Sequence, residues 1–150
     1  MGMYWKGSHC VYDCRYHIVW ITKYRNKALS EGIRKRLQEV LEELCKEMNV
    51  KVIRIGMEED HVHLYVMIPP VHPIPYVIKR LKGISSKEIR KEFGRELKEY
   101  YWKPVLWAVG YFVASVGSVD EKVIKKYVEE QGKRDVEEEC IELGQAMDGV

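Results

Sequence analysis

The stretch 50–68 constrains this chain more than any other. Residues 50–57 (VKVIRIGM) and 61–68 (HVHLYVMI) are runs rich in β-branched and apolar side chains, and only Glu58, Glu59 and Asp60 separate them. Three residues leave no room for the crossover that parallel strands require, so the pair reads as an antiparallel hairpin. Side chains alternate faces along a strand. Val62, Leu64, Val66 and Ile68 therefore point to one side, and His61, His63, Tyr65 and Met67 to the other. Pro69, Pro70, Pro73 and Pro75 follow at once and end the second strand, because proline has no N–H to give to a sheet ladder.

The remaining elements arrange themselves around that hairpin. Residues 10–22 (CVYDCRYHIVWIT) read as a strand, and Asn26 and Ser30 are turn or cap candidates after it. Ile33, Leu37, Val40, Leu41, Leu44 and Met48 fall at helical spacing, with Asn49 as the stop. A short helix is expected over 74–82, stopped by Gly83. Ser85 and Glu88 fit a capping box that opens a second helix through Ile89, Phe93 and Leu97. Residues 105–116 read as a fourth strand bent at Gly110. Ser118 and Glu121 form another capping box, opening a helix that carries Val123, Ile124, Tyr127, Val128 and Gln131. The order β-α-β-β-α-α-β-α predicts an α+β fold, an antiparallel sheet with helices on one face, of ferredoxin-like or RRM-like architecture.

At 150 residues the chain has enough sequence for one core. The formal charge of +2 hides an asymmetry: residues 129–150 hold eight acids and two bases, and residues 1–128 carry a net +8. We therefore expect a basic domain over 1–131 and an acidic tail or peripheral helix over 132–150. A basic body permits a polyanionic ligand. No apolar run approaches the ~18 residues that cross a bilayer. The N-terminus lacks the basic-then-apolar layout of a signal peptide, so the expected location is the cytoplasm. Cys10, Cys14, Cys45 and Cys140 form no CxxC pair and read as reduced thiols. There is no GxxxxGK[ST] or GxGxxG, which argues against nucleotide hydrolysis and dinucleotide chemistry.

Three features could carry chemistry. His61 and His63 lie side by side at the start of a strand and can chelate a divalent metal, with Asp60 as an oxygen donor or an imidazole partner. The same pattern also arises on half-exposed strands without function. Tyr127 and Gln131, four apart, share a helix face. Tyr127 suits plain packing as well as nucleophilic attack, and Gln131 suits a solvated surface as well as a hard cation. The third feature is basic and aromatic. Arg15, Lys23, Arg25 and Lys27 interleave with Tyr12, Tyr16, Trp20 and Tyr24, while Lys79, Arg80, Lys82 and Lys87 surround Ser85 and Ser86. Phosphate contacts plus base stacking hold single strands, though core aromatics beside a solvated basic face would look the same. His9, His17 and His72 have no spaced partner and read as structural or surface groups.

In order along the chain, HIVWITKYRNKAL (17–29), EEDHVHLYVMIPP (58–70), IKRLKGISSKEIRKEF (78–93), LWAVGYFVASVG (106–117) and VIKKYVEEQ (123–131) together resemble the single-tyrosine HUH transposases of the IS200/IS605 type. The resemblance implies an HUH endonuclease fold and cleavage and rejoining of single-stranded DNA at insertion-sequence ends. It implies Tyr127 as nucleophile through a 5′-phosphotyrosine, and Mg²⁺ or Mn²⁺ held by His61, His63 and Gln131. It also implies DNA hairpins as partners and a homodimer with composite sites, Tyr127 acting in cis or in trans. Arg15, Lys23, Arg25, Lys79, Arg80, Lys82 and Ser85 are the candidate DNA contacts. Ala108 and Val109 depart from the more polar or proline-containing pair expected at that place. The rival readings are a non-catalytic single-strand-binding module descended from such an enzyme, or a related enzyme acting on repetitive palindromic DNA.

Overall fold

A computed structural model describes residues 5–7, 10–115 and 121–148, without the side chains of 5, 121, 123 and 137–148. In chain order the elements are β1 (Trp5–Lys6), β2 (Val11–Tyr12), β3 (Arg15–Ile21), a 3-10 turn (Lys23–Arg25), α1 (Glu31–Glu47), β4 (Lys51–Met57), β5 (His61–Met67), α2 (Ile74–Glu92), α3 (Gly94–Leu97), β6 (Phe112–Ser115) and α4 (Glu121–Asp148). The main sheet runs β4-β5-β3-β6, antiparallel at every pairing, and β1 and β2 make a separate small ribbon. This is the expected α+β arrangement, with the hairpin formed by β4 and β5.

The apolar face of the hairpin is the core. Val62, Leu64 and Val66 of β5, with Ile18 and Trp20 of β3, pack against Ile33, Leu37, Leu41 and Leu44 of α1 and Val77, Ile78, Leu81 and Ile89 of α2. Burying each aliphatic side chain is worth roughly 1.5–3 kcal/mol, so this layer dominates the fold's stability. Ser30 caps α1 by accepting the Ile33 N–H at 3.4 Å.

Helices α1 and α2 share that face, but α4 lies on the other, so the helices are not confined to one face as expected. Val19 and Ile21 alternate away from the main core and meet Val128, with Ile124, Tyr127 and Phe112 packed around them. The parity of β3 thus gives the sheet a second apolar patch, and α4 covers it.

Several boundaries differ from expectation. The run 10–22 divides at Asp13 and Cys14, because β2 pairs with β1 whereas Arg15–Ile21 is matched residue for residue to the full length of β5. Gly83 does not stop a helix. The apolar stripe Val77, Ile78, Leu81, Ser85, Ile89 continues across it in one helix, and burial outweighs the ~1 kcal/mol that glycine costs in a helix. Ser85 is consequently mid-helix and fully buried, and caps nothing. Of the described residues 105–115, only Phe112–Ser115 is ladder. Trp107 makes a lone bridge to Thr22, and Gly110, at φ 101°, turns the chain between them. Ser118 lies outside the described residues. Helix α4 runs on through Gly132 to Asp148.

Candidate active site

His61 and His63 sit on the face of β5 opposite the main core, as strand alternation requires. They open into a cleft of about 800 Å³ that also holds His17, Arg25, Arg54, Glu58 and Asp60, and is walled by Ile124, Lys125, Val128 and Glu129 of α4. The Nδ1–H of His61 donates to Asp60 Oδ1 at 2.8 Å, and Arg25 Nε donates to Asp60 Oδ2 at 3.0 Å. Burial pushes the Asp60 carboxyl up, but the hydrogen bonds from His61 and Arg25 outweigh it and hold the group below the usual carboxylate range. An imidazole whose Nδ1 is fixed by a carboxylate presents Nε2 in one orientation, the usual arrangement behind a metal ligand.

His63 is fixed differently. Its Nε2 shares a hydrogen bond of 3.0 Å with Nδ1 of His17. His17 in turn stacks on Tyr65, with centroids 4.7 Å apart and planes within 8°. Tyr65 Oη accepts from Arg15 at 3.2 Å, and Asp13 accepts from the same guanidinium. Burial lowers the His63 pKa, with the charges of His17, His61 and Arg54 adding to it, and burial lowers that of His17. The rings are thus neutral at pH 7, which is the form that ligates metals. His17 therefore belongs to the site, although its sequence neighbourhood gave no sign of it. Only the β3–β5 register, which places it opposite Tyr65, brings it there.

The donor set fits a divalent cation in part. Two imidazoles, one backed by a carboxylate, share a solvent-open cleft. Among the described residues, no three His, Cys, Asp or Glu side chains are grouped closely enough to hold a metal ion.

Tyr127 and Gln131 share a face of α4, but within one chain it is not the face that walls the histidine cleft. They line a cavity of about 340 Å³ with Val109, Gly110, Tyr111 and Arg134. Gln131 Nε2 donates to Val109 O at 2.8 Å. The Tyr127 ring packs on Phe112 at 5.7 Å, and its hydroxyl is buried with no hydrogen-bond partner among the described residues. Burial, with the charge of Asp135 adding and Arg134 opposing, pushes the phenol up to about 12. It is protonated in this setting.

The basic residues divide. Arg25 touches the cleft and is bonded to Asp60, and Arg15 stands at the Tyr65 end of the histidine row. Lys23 is mostly buried, 3.8 Å from Asp135. Lys79 is exposed and Arg80 lies 3.8 Å from Glu47, both on α2, on the opposite side of the sheet from the cleft. Lys82 and Ser85 are not surface contacts. Lys82 Nζ donates to the carbonyls of Ala108 at 2.8 Å and Gly110 at 2.6 Å. Burial pulls this ammonium down to about 8, with the charge of Asp135 opposing. Ser85 Oγ accepts from Trp107 Nε1 at 3.0 Å and donates to Lys82 O at 3.1 Å. Both residues hold the segment before β6 in place.

Known proteins are similar to this chain in sequence and fold. The family described as "Transposase IS200 like" matches residues 10–131. The ISDra2 transposase TnpA of Deinococcus radiodurans is 32% identical over 126 residues, covering 84% of this chain and 89% of that protein. The transposase for insertion sequence element IS200 of Salmonella typhimurium is 34% identical over 128 residues, covering 85% and 83%. A crystal structure assigned as a transposase, from Deinococcus radiodurans, superposes with a TM-score of 0.77 at 32% identity, covering 84% of this chain and 96% of that one. The fold also matches a REP-associated tyrosine transposase solved with a REP hairpin, at TM-score 0.52 and 10% identity, over 82% of this chain and 68% of that one. With a family match over most of its length and relatives above 30% identity, this chain belongs to the IS200-like transposase family.

Proposed function

We propose that the protein cleaves and rejoins single-stranded DNA at insertion-sequence ends, with Tyr127 as nucleophile. The observation that carries this reading is the pair His61 and His63 on one open cleft, His61 aimed by Asp60, and walled by the helix that bears Tyr127. The Tyr127 oxygen attacks the scissile phosphorus. One O–P bond forms, the P–O3′ bond breaks, the phenolic proton leaves, and the strand ends as a 3′-OH beside a 5′-phosphotyrosine. A free DNA 3′-OH then reverses the exchange on a new strand, so no nucleotide cofactor is consumed. A Mg²⁺ or Mn²⁺ ion held by His61 and His63 would supply positive charge at the scissile phosphate and the departing oxygen. Gln131 is the further oxygen donor in this scheme.

A buried, protonated Tyr127 in a separate cavity is not poised for attack. Catalysis therefore requires α4 to present its other face, by moving within the chain or by docking on a second copy in a homodimer. Hairpin DNA is the partner in this reading. Arg15 and Arg25 beside the cleft are the phosphate contacts best placed for it, and affinity then falls steeply with salt.

The test is a denaturing gel of end-labelled single-stranded hairpin libraries with Mg²⁺ or Mn²⁺. A covalent label on the wild type that is lost with EDTA and absent in Tyr127→Phe is the expected result. Salt-sensitive binding with no adduct would replace the enzyme by a binding module.

A further inference from the structure

Asp135 lies in the acidic C-terminal stretch, four residues past the matched family segment, yet it is 1% exposed while Glu129 and Glu130 on the same helix are solvent-facing. Its Oδ2 accepts the backbone N–H of Tyr24 at 3.0 Å, and Lys23 Nζ stands 3.8 Å from Oδ1. The segment it grips is unusual. Tyr24 and Arg25 have φ of 60° and 56°, left-handed backbone that side-chain-bearing residues adopt only when the surroundings impose it. One turn before Asp135, the helix presses on the same segment: a Cβ at Gly132 would stand 2.9 Å from both Cβ and Cδ of Arg25. Arg25 then donates to Asp60, and Asp60 accepts from His61. Helix α4 thus reaches the histidine cleft through the turn, by the contacts Asp135 to Tyr24, Arg25 to Asp60, and Asp60 to His61.

We propose that Asp135 is a positioning residue for the reaction, clamping the Lys23–Arg25 turn so that Arg25 and Asp60 hold the His61 ring with Nε2 open. The inference rests on the functional reading above for its kinetic arm only. A buried carboxylate is a poor device for stability alone, since well-packed apolar replacements of buried ionic groups are often as stable. Its value here is directional: it fixes an N–H in a strained turn whose next residue is bonded to the site.

The experiment compares the wild type with Asp135→Asn, which keeps an acceptor for the Tyr24 N–H, Asp135→Ala, which removes it, and Gly132→Ala, which pushes on Arg25 without touching Asp135. The readouts are Mn²⁺ affinity by electron paramagnetic resonance, amide exchange at residues 24 and 25, covalent adduct rate at saturating hairpin DNA, and DNA affinity in EDTA. Asp135→Ala and Gly132→Ala should lose Mn²⁺ affinity and adduct rate severalfold, short of the roughly 10–100-fold that follows removal of a group bonded directly to a metal ligand. Asp135→Asn should recover most of that loss, and DNA affinity should stay level. Faster exchange at residues 24 and 25 should accompany the loss in Asp135→Ala. A folded Asp135→Ala protein with wild-type Mn²⁺ affinity overturns the proposal, as does an adduct loss that only tracks the unfolded fraction. If the wild type forms no adduct, the enzymatic reading fails, and the Mn²⁺ and exchange comparisons still decide the role of Asp135.

Discussion

The two halves of the candidate site are built in opposite ways. His61 and His63 stand on β5, a central strand paired on both sides, and each ring is fixed from behind, by Asp60 or by His17. Tyr127 and Gln131 ride on α4, which packs on the small cluster around Val19 and Ile21, and both line a separate cavity. In the proposed reaction the histidine half is held ready, and the tyrosine half has to be brought to it.

Five measurements would break or sharpen that contrast. The largest effect is expected from Tyr127→Phe and from His61→Ala, each lowering adduct formation by roughly a thousandfold or more because the two groups act as a unit. Mixing the two variants sharpens the point. Recovered adduct would mean that α4 of one copy serves the cleft of another, and no recovery would mean that the helix moves within its own chain.

Next comes the contrast between neighbours on β5. Leu64→Ala on the core face should cost about 2–5 kcal/mol in denaturant unfolding. His63→Ala, one residue away on the cleft face, should cost under about 1 kcal/mol, in the range of surface changes. Equal costs would show that the cleft is part of the core. Ser85→Ala should cost about 1–3 kcal/mol, since it strands the Trp107 Nε1–H inside the protein.

The smallest effect is a pH slope. With Lys82 at about 8 folded against 10.5 unfolded, the unfolded chain binds more protons between those values. This group therefore makes stability rise with pH through that window, its burial penalty being fully present below pH 8. Unfolding curves of Lys82→Met from pH 7.5 to 10.5 should lack that component. An unchanged slope would mean that the carbonyls of Ala108 and Gly110 hold the ammonium at its ordinary pKa.

Much of this was legible in the sequence. The alternation of β5 identified which residues face the core and which face the cleft, and the three-residue connector fixed the hairpin. Spacing put Tyr127 and Gln131 on one face of α4, but not which cavity that face meets, because helix rotation is set by packing on Val19 and Ile21. His17 was invisible for a similar reason: its partner depends on a strand register that no local pattern encodes. Gly83 misled because glycine's local cost is small beside the burial gained by Leu81, Ser85 and Ile89. Asp135 reads as one more acid in a solvated run, and only a turn 111 residues earlier in sequence reveals otherwise.

The crowding of α4 on the sheet has one further consequence. Successive residues of a helix lie about 100° apart around its axis. Tyr127 and Val128 therefore compete for a single angular position above the cleft, and Val128, 4% exposed, occupies it. A chain that turns Tyr127 toward its own histidines must take Val128 off Val19 and Ile21, giving up roughly 1.5–3 kcal/mol of burial. The same helix arriving from another copy must first displace this one, and the burial is recovered only if its own apolar residues settle on Val19 and Ile21.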